Sequence, residues 1–140
     1  MDTYGEFARH SSSALSGKDP GRIERVAAYG TRYAAKNVVA AGLAEECEVA
    51  LSYAIGQAAP IGMNVSTFGT GLFSDDEIAR RLRRFIDFRP GSMIADFGLR
   101  RLPGEASGPF YARLAAYGQV GRADLPLPWE RTDRAHRLWD

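Results

Sequence analysis

Residues 16–42 read SGKDPGRIERVAAYGTRYAAKNVVAAG, and this run sets the architecture. A Ser-Gly-Lys turn meets Asp19-Pro20, which reads as the N-cap and first position of a helix. From there to about Ala41, the apolar residues Ile23, Val26, Ala27, Gly30, Tyr33, Ala34 and Val38 fall on one stripe, the spacing of a helix with one buried face. Gly30 and the neighbouring alanines predict close packing of that face against a sheet. Gly42 supplies the helix stop.

Working outward, Val49, Leu51, Tyr53 and Ile55 alternate with Glu48, Ala50, Ser52 and Ala54, the period of a strand. Residues 56–62, with Pro60, read as a turn. Met63 to Phe68 reads as the second arm of a hairpin, closed by Gly69-Thr70-Gly71. Ser74 and Glu77 frame a capping box. The helix behind it turns Ile78, Leu82, Phe85 and Ile86 inward and spreads Arg80, Arg81, Arg83 and Arg84 over its remaining surface. Pro90 ends or bends this helix. Ser92 to Leu99 predicts a short helix, Pro103 to Pro109 a loop, and Thr132 to Trp139 a short terminal helix. The stretch from Ala115 to Trp129 reads as irregular, with Tyr117-Gly118 and Trp129-Glu130 as anchors packing on the sheet. Asp2 to Tyr4 reads as the tail of a further strand. The sum is one α+β domain over residues 1–140, a two-layer sandwich of a small, mainly antiparallel sheet with helices on one face. Such a sheet leaves its other face open. With Val49, Leu51, Tyr53 and Ile55 assigned to that face, the expectation is a homodimer formed through it.

The chain has 140 residues, 45% hydrophobic and 25% charged, with a net charge of +1. That balance gives no general electrostatic case for nucleic acid or an anionic membrane. The four arginines read as a solvated helix face. No apolar run reaches the roughly 18 residues of a membrane span, and no signal-peptide core is visible, so a cytoplasmic protein is expected. The lone Cys47 has no internal disulfide partner and reads as a buried or half-buried thiol.

The chemistry-bearing residues concentrate ahead of the first helix. Lys18, with Ser11, Ser12, Ser13 and the backbone N–H groups of a helix start, makes an anion site in which His10 and Ala14 take part. Arg22 joins Lys18 as a second cation, a clamp for phosphate or carboxylate. These two are the candidate catalytic residues. Glu24 is a candidate magnesium ligand if a nucleotide binds. The segment is no Walker loop, because Asp19 follows the lysine. His10 and His136 are far apart and unframed by carboxylates or thiols, which argues against structural zinc.

Several short motifs recur in one order: Asp2-Thr3-Tyr4-Gly5, Ala8-Arg9-His10, then Ser16-Gly17-Lys18-Asp19-Pro20. After them come Arg32-Tyr33, Ala35-Lys36-Asn37, Val39 to Ala44, and Ser52-Tyr53-Ala54-Ile55-Gly56 behind Cys47-Glu48. Thr67-Phe68-Gly69-Thr70, Arg89-Pro90, Ala115-Ala116-Tyr117-Gly118, Gly121-Arg122 and Pro128 to Asp133 complete the series. This series resembles the C-terminal domain of the methionine adenosyltransferase (S-adenosylmethionine synthetase) family, whose members are much longer chains. The family makes S-adenosylmethionine from ATP and methionine and then hydrolyses the tripolyphosphate. The resemblance implies that Ala14 and Lys18 hold ATP-contacting positions, that Arg22 replaces a substrate-contacting lysine, and that Glu24 replaces a magnesium-binding aspartate. It also implies a dimer with active sites shared between chains.

Departures gather near the same place. Ser11-Ser12-Ser13 stands for a run of three glycines, Glu6 for a fourth, Leu15 for a phenylalanine and Gln119 for a histidine. The resulting expectation is a stand-alone homologue that does not make S-adenosylmethionine by itself, with its standing as an enzyme open. It reads as a complementing or regulatory subunit beside a full-length or N-terminal synthetase chain. The alternatives are a repurposed small enzyme of secondary metabolism using the pocket near Ser11 to Lys18, and an inactive truncation.

Overall fold

The computed structural model of the chain describes residues 4, 7–10, 13–105 and 109–140. The expected strand tail therefore lies outside the described residues except for Tyr4, which is in a bend. The elements are α1 (Ile23–Ala40), β1 (Glu48–Ser52), β2 (Gly62–Ser66), α2 (Asp75–Phe85), α3 (Pro90–Asp96), α4 (Leu102–Glu105) and α5 (Phe110–Ala115), followed by 3-10 turns at Pro128–Glu130 and Ala135–Trp139. This is an α+β fold.

The helix α1 starts later than the sequence suggests. Asp19 spends its carboxylate on the N–H of Gly21 at 2.7 Å, an Asx-type turn. Arg22 is extended (φ −64°, ψ 138°) and serves as N-cap without a side-chain hydrogen bond. Asp19 and Pro20 thus shape the approach to the helix rather than its first turn. Of the expected stripe, Val26, Gly30, Tyr33, Ala34 and Val38 are buried while Ile23 and Ala27 are half-buried, and Arg25, Tyr29 and Asn37, outside that stripe, are buried as well. The helix does pack on β1 as expected, but Gly30 itself meets α3, where a methyl group would run into Met93 Sδ. Gly42 ends the helix at φ +72°, and its N–H and that of Leu43 bond back to Val39 and Val38.

The sheet among the described residues is one antiparallel hairpin, with Val49 opposite Val65 and Leu51 opposite Met63. It corrects the expected interface. Val49 and Val65 are buried, and Leu51, Tyr53 and Met63 pack against the core on the helix side. The alternate set, Ala50, Ser52 and Asn64, is exposed and mostly polar. Ile55 lies past the strand end, fully exposed. A strand has one apolar set, and the helices take it. The apolar argument for a homodimer through the opposite sheet face fails accordingly.

Ser74 caps α2 as expected, its Oγ accepting from the Glu77 N–H at 3.2 Å. Pro90 does not terminate this helix. The chain leaves α2 at Ile86, and Pro90 opens α3 at its first turn, where a missing N–H costs nothing. The stretch expected to be a loop from Pro103 holds the helical turn α4, while residues 106–108 fall outside the described set. Trp129 anchors the late irregular segment, but on α1: its ring stacks on Tyr29 at 3.6 Å, and Phe97 and Phe110 meet it edge-on. Tyr117 is 94% exposed and anchors nothing on the sheet.

Candidate functional site

The loop from Ser13 to Lys18 lies where the chain enters α1. Leu15 is buried and pins it to the core. Gly17 takes φ +83°, a backbone conformation open to glycine at little cost. The Lys18 N–H bonds to the Leu15 carbonyl at 3.3 Å, closing a tight turn. The Lys18 ammonium donates to the Ala14 carbonyl at 2.5 Å, so these two predicted residues do come together. Ser13 is half-buried. Ser11 and Ser12 lie outside the described residues.

Arg22 is exposed and caps the helix with its backbone. The N–H groups of Gly21 and Arg22 are engaged by Asp19. The open positive end of the helix is therefore at Ile23 and Glu24, one turn past Lys18. Glu24 sits in this first turn, and its Oε2 is buried without a hydrogen-bond partner among the described residues. His10 is exposed. Its neighbour Arg9 grips the Glu48 carboxylate through its backbone N–H and Nε, both at 2.8 Å, which sets the 7–10 stretch beside β1. No group of three His, Cys, Asp or Glu side chains suited to a metal occurs among the described residues. Glu24 would then be a single protein carboxylate for magnesium. Its unpaired buried oxygen is the hard donor that ion accepts, with phosphate and water filling the remaining positions.

Beneath the loop lies a residue that sequence reasoning missed. Arg25 is 2% exposed. Its Nη1 donates to the Lys18 carbonyl at 2.7 Å and its Nε to the Tyr29 hydroxyl at 2.8 Å. Its guanidinium also sits 4.8 Å from the centre of the Tyr111 ring. The Tyr29 hydroxyl donates in turn to Gln119 Oε1 at 2.7 Å, and Gln119 Nε2 donates to Ser16 Oγ at 2.9 Å. Burial raises the Tyr29 hydroxyl above its ordinary pKa, so it stays a neutral donor. One signal for this was local: Arg25 and Tyr29 are an i, i+4 pair, and both lie on the buried face of α1. The link to Gln119 spans 103 residues from Ser16 and leaves no mark in a local pattern.

The rest of the late segment is latched to α1 as well. Glu130 accepts from Arg32 through both oxygens at 2.9 Å, from Lys36 at 2.6 Å and from the Gly121 N–H at 2.8 Å. These donors hold its carboxyl well below the usual range, at about 2. The fully buried Asn37 donates to the Tyr33 and Arg131 carbonyls and accepts from the Arg134 N–H. Cys47 is half-buried, and burial beside Asp75 and Glu48 pushes its thiol up to about 12, far from a reactive thiolate. Two open clefts lie elsewhere. One, about 490 Å³, is lined by Gly91, Ile94, Gly98 and Arg101; the other, about 680 Å³, by Pro60, Ile61, Arg83 and Arg89 among others. The Ser13–Lys18 loop lines neither.

The loop, the cap and the late segment that meets them recur in known proteins. Residues 1–131 match the family model described as S-adenosylmethionine synthetase, C-terminal domain. The chain belongs to the S-adenosylmethionine synthetase family. Relatives include the S-adenosylmethionine synthases of Synechococcus elongatus, 55% identical over 138 residues, and Gloeobacter violaceus, 53% identical over 138 residues. In both cases the alignment takes in 99% of this chain and 33% of the relative. An unusual S-adenosylmethionine synthetase from Campylobacter jejuni superposes with a TM-score of 0.87 at 36% identity, over 98% of this chain and 35% of that one. The chain thus spans about a third of the length of the synthetases it matches. Among the described residues, no helix is long and apolar enough to cross a membrane.

Proposed function

We propose that this chain supplies the C-terminal part of a methionine adenosyltransferase site and works with a second synthetase chain that brings the remainder. The observation that carries this is the position of Lys18. It stands in the family's Ser-Gly-Lys-Asp-Pro setting, on a turn closed by one backbone hydrogen bond and lining neither of the two clefts. A ledge of this kind offers cations to one side of a ligand and needs a facing wall. A cytoplasmic setting goes with this reading.

In the reaction, the methionine sulfur attacks C5′ of ATP, the S–C5′ bond forms, and the C5′–O bond breaks as triphosphate leaves. The residues here act on the leaving group. Lys18 and Arg22 place two positive charges where negative charge collects on the departing oxygens, and the free N–H groups at the start of α1 add to that field. Glu24 would hold magnesium, which neutralises and orients the phosphates when bound. The preformed loop matters because donors already in place need no reorganisation when the charge develops.

Titration of inorganic triphosphate into the chain tests the site. Each charge-assisted hydrogen bond is worth about 1.5–3 kcal/mol, or roughly tenfold or more in affinity. Lys18→Ala is expected to weaken triphosphate by at least about tenfold, and Lys18→Ala/Arg22→Ala further, with unfolding temperature unchanged. Equal affinity in wild type and double variant would place the anion elsewhere.

A further inference from the structure

Five links close a ring under the candidate site. Arg25 Nη1 holds the Lys18 carbonyl, Arg25 Nε meets the Tyr29 hydroxyl, Tyr29 meets Gln119, Gln119 meets Ser16, and the backbone from Ser16 to Lys18 completes the circuit. The donor order is self-consistent. A guanidinium only donates, so the Tyr29 oxygen must accept from it and pass its own proton to Gln119 Oε1. That fixes the Gln119 amide with its NH₂ toward Ser16, where it donates, and toward the Leu114 carbonyl at 3.2 Å. Gly17, in its left-handed conformation, is the only residue between the two tethered ones.

We infer that Arg25, Tyr29 and Gln119 are positioning residues that set the conformation of the Ser16–Lys18 turn and, through it, the place of the Lys18 ammonium. The turn's other restraints are the buried Leu15 before it and the Lys18 ammonium held on the Ala14 carbonyl. Its own backbone contributes one hydrogen bond at 3.3 Å, and Ser16 and Gly17 are exposed. Without the ring, a glycine flanked by two exposed or half-exposed residues samples many conformers. With it, both ends of the turn are tied to α1 and to the segment after α5. Arg25 forms no ion pair with a carboxylate among the described residues, and its Nη2 is buried without a partner there. Its charge therefore reaches the turn it supports and favours an anion above it. The ring also joins residues 16 and 119, so the late segment takes part in the site without touching a ligand. The catalytic meaning of this arrangement rests on the reading of Lys18 as an anion ligand, but the ring itself does not.

Backbone ¹⁵N relaxation on the full chain separates the two. The Gly17 N–H is expected to be rigid in the wild type, with an order parameter near ~0.85, and to fall below about 0.6 in both Tyr29→Phe and Gln119→Leu. Tyr29→Phe keeps the ring stacked on Trp129 and removes only the hydroxyl. Gln119→Leu changes a half-exposed side chain, so at least one variant folds. Gly17 as rigid in both variants as in the wild type overturns the inference. Inorganic triphosphate affinity gives the second readout, measured well below the unfolding temperature. Both variants should bind about tenfold more weakly, although Lys18 is intact. If Lys18→Ala weakens binding and neither ring variant does, the positioning role is overturned. If Lys18→Ala changes nothing, the reading of the site falls, and the ring stands or falls on Gly17 alone.

Discussion

At Gly30, one hydrogen atom in place of a methyl decides how closely two helices approach. It brings α1 against α3, with the Met93 sulfur occupying the space a Cβ would need. Met93 is 1% exposed, so its side chain has little room to move away. Gly30→Ala gains about 1 kcal/mol of helix propensity, while overpacking of a filled core costs typically ~1–3 kcal/mol. The expected net effect is a loss of roughly 1 kcal/mol, read as a lower urea midpoint at unchanged slope. A variant as stable as the wild type would mean that Met93 relocates freely. Lys18 differs in kind. Its neighbours in sequence make it readable as a candidate anion ligand, because a lysine, a glycine turn and a helix start need only a few consecutive residues. Arg25 was not singled out in the linear reading. Its role depends on the carbonyl of Lys18 folding back over it and on Gln119 arriving from the other end of the chain.

Elements with a local cause were legible, and elements set by tertiary contact were not. Ser74 caps α2 because its own side chain reaches an N–H three residues on. Ser74→Ala should cost about 1 kcal/mol, visible as a drop in unfolding temperature, and Ser74→Asp should recover it. The start of α1 was misplaced because Asp19 had two uses for its carboxylate, and the Asx turn took precedence over the cap. Pro90 was read as a helix terminator, yet the same missing N–H suits a helix start. Strand alternation told which residues share a face but not which face the helices cover, and this misdirected the expected dimer contact. The 3-10 turn at Pro128–Glu130 has its own measurable link to α1 through Glu130. The Glu130 carboxyl is lowered in the folded chain from 4.5 to about 2 by Arg32, Lys36 and the Gly121 N–H. A depressed pKa stabilises the fold above the unfolded value, and that contribution is lost as pH falls from about 4.5 toward 2. Glu130→Gln should therefore reduce stability at pH 7 and flatten its acid dependence across that window. Parallel pH curves for variant and wild type would show that the Glu130 pairs contribute nothing.

At the scale of the whole molecule, one hydrophobic cluster joins α1, the hairpin, α2, α3 and the late segment, so the fold stands on its own core. Under the proposed function, the candidate site is completed by a second chain. It presents Lys18 and Arg22 at the start of α1, while the synthetases it matches are about three times as long, since the chain covers 33% of their length. One departure near the loop fits its geometry: Gln119 closes a ring that an aliphatic side chain could not. The most direct test is product formation from ATP and methionine in three mixtures: this chain alone, this chain with the N-terminal two-thirds of a synthetase relative, and the same pair carrying Lys18→Ala. The account predicts no S-adenosylmethionine from the chain alone, product from the mixture, and a fall of at least about a hundredfold with Lys18→Ala, the scale of losing one charge-stabilising group. Product from the chain alone, an inert mixture, or a mixture indifferent to Lys18 would contradict it.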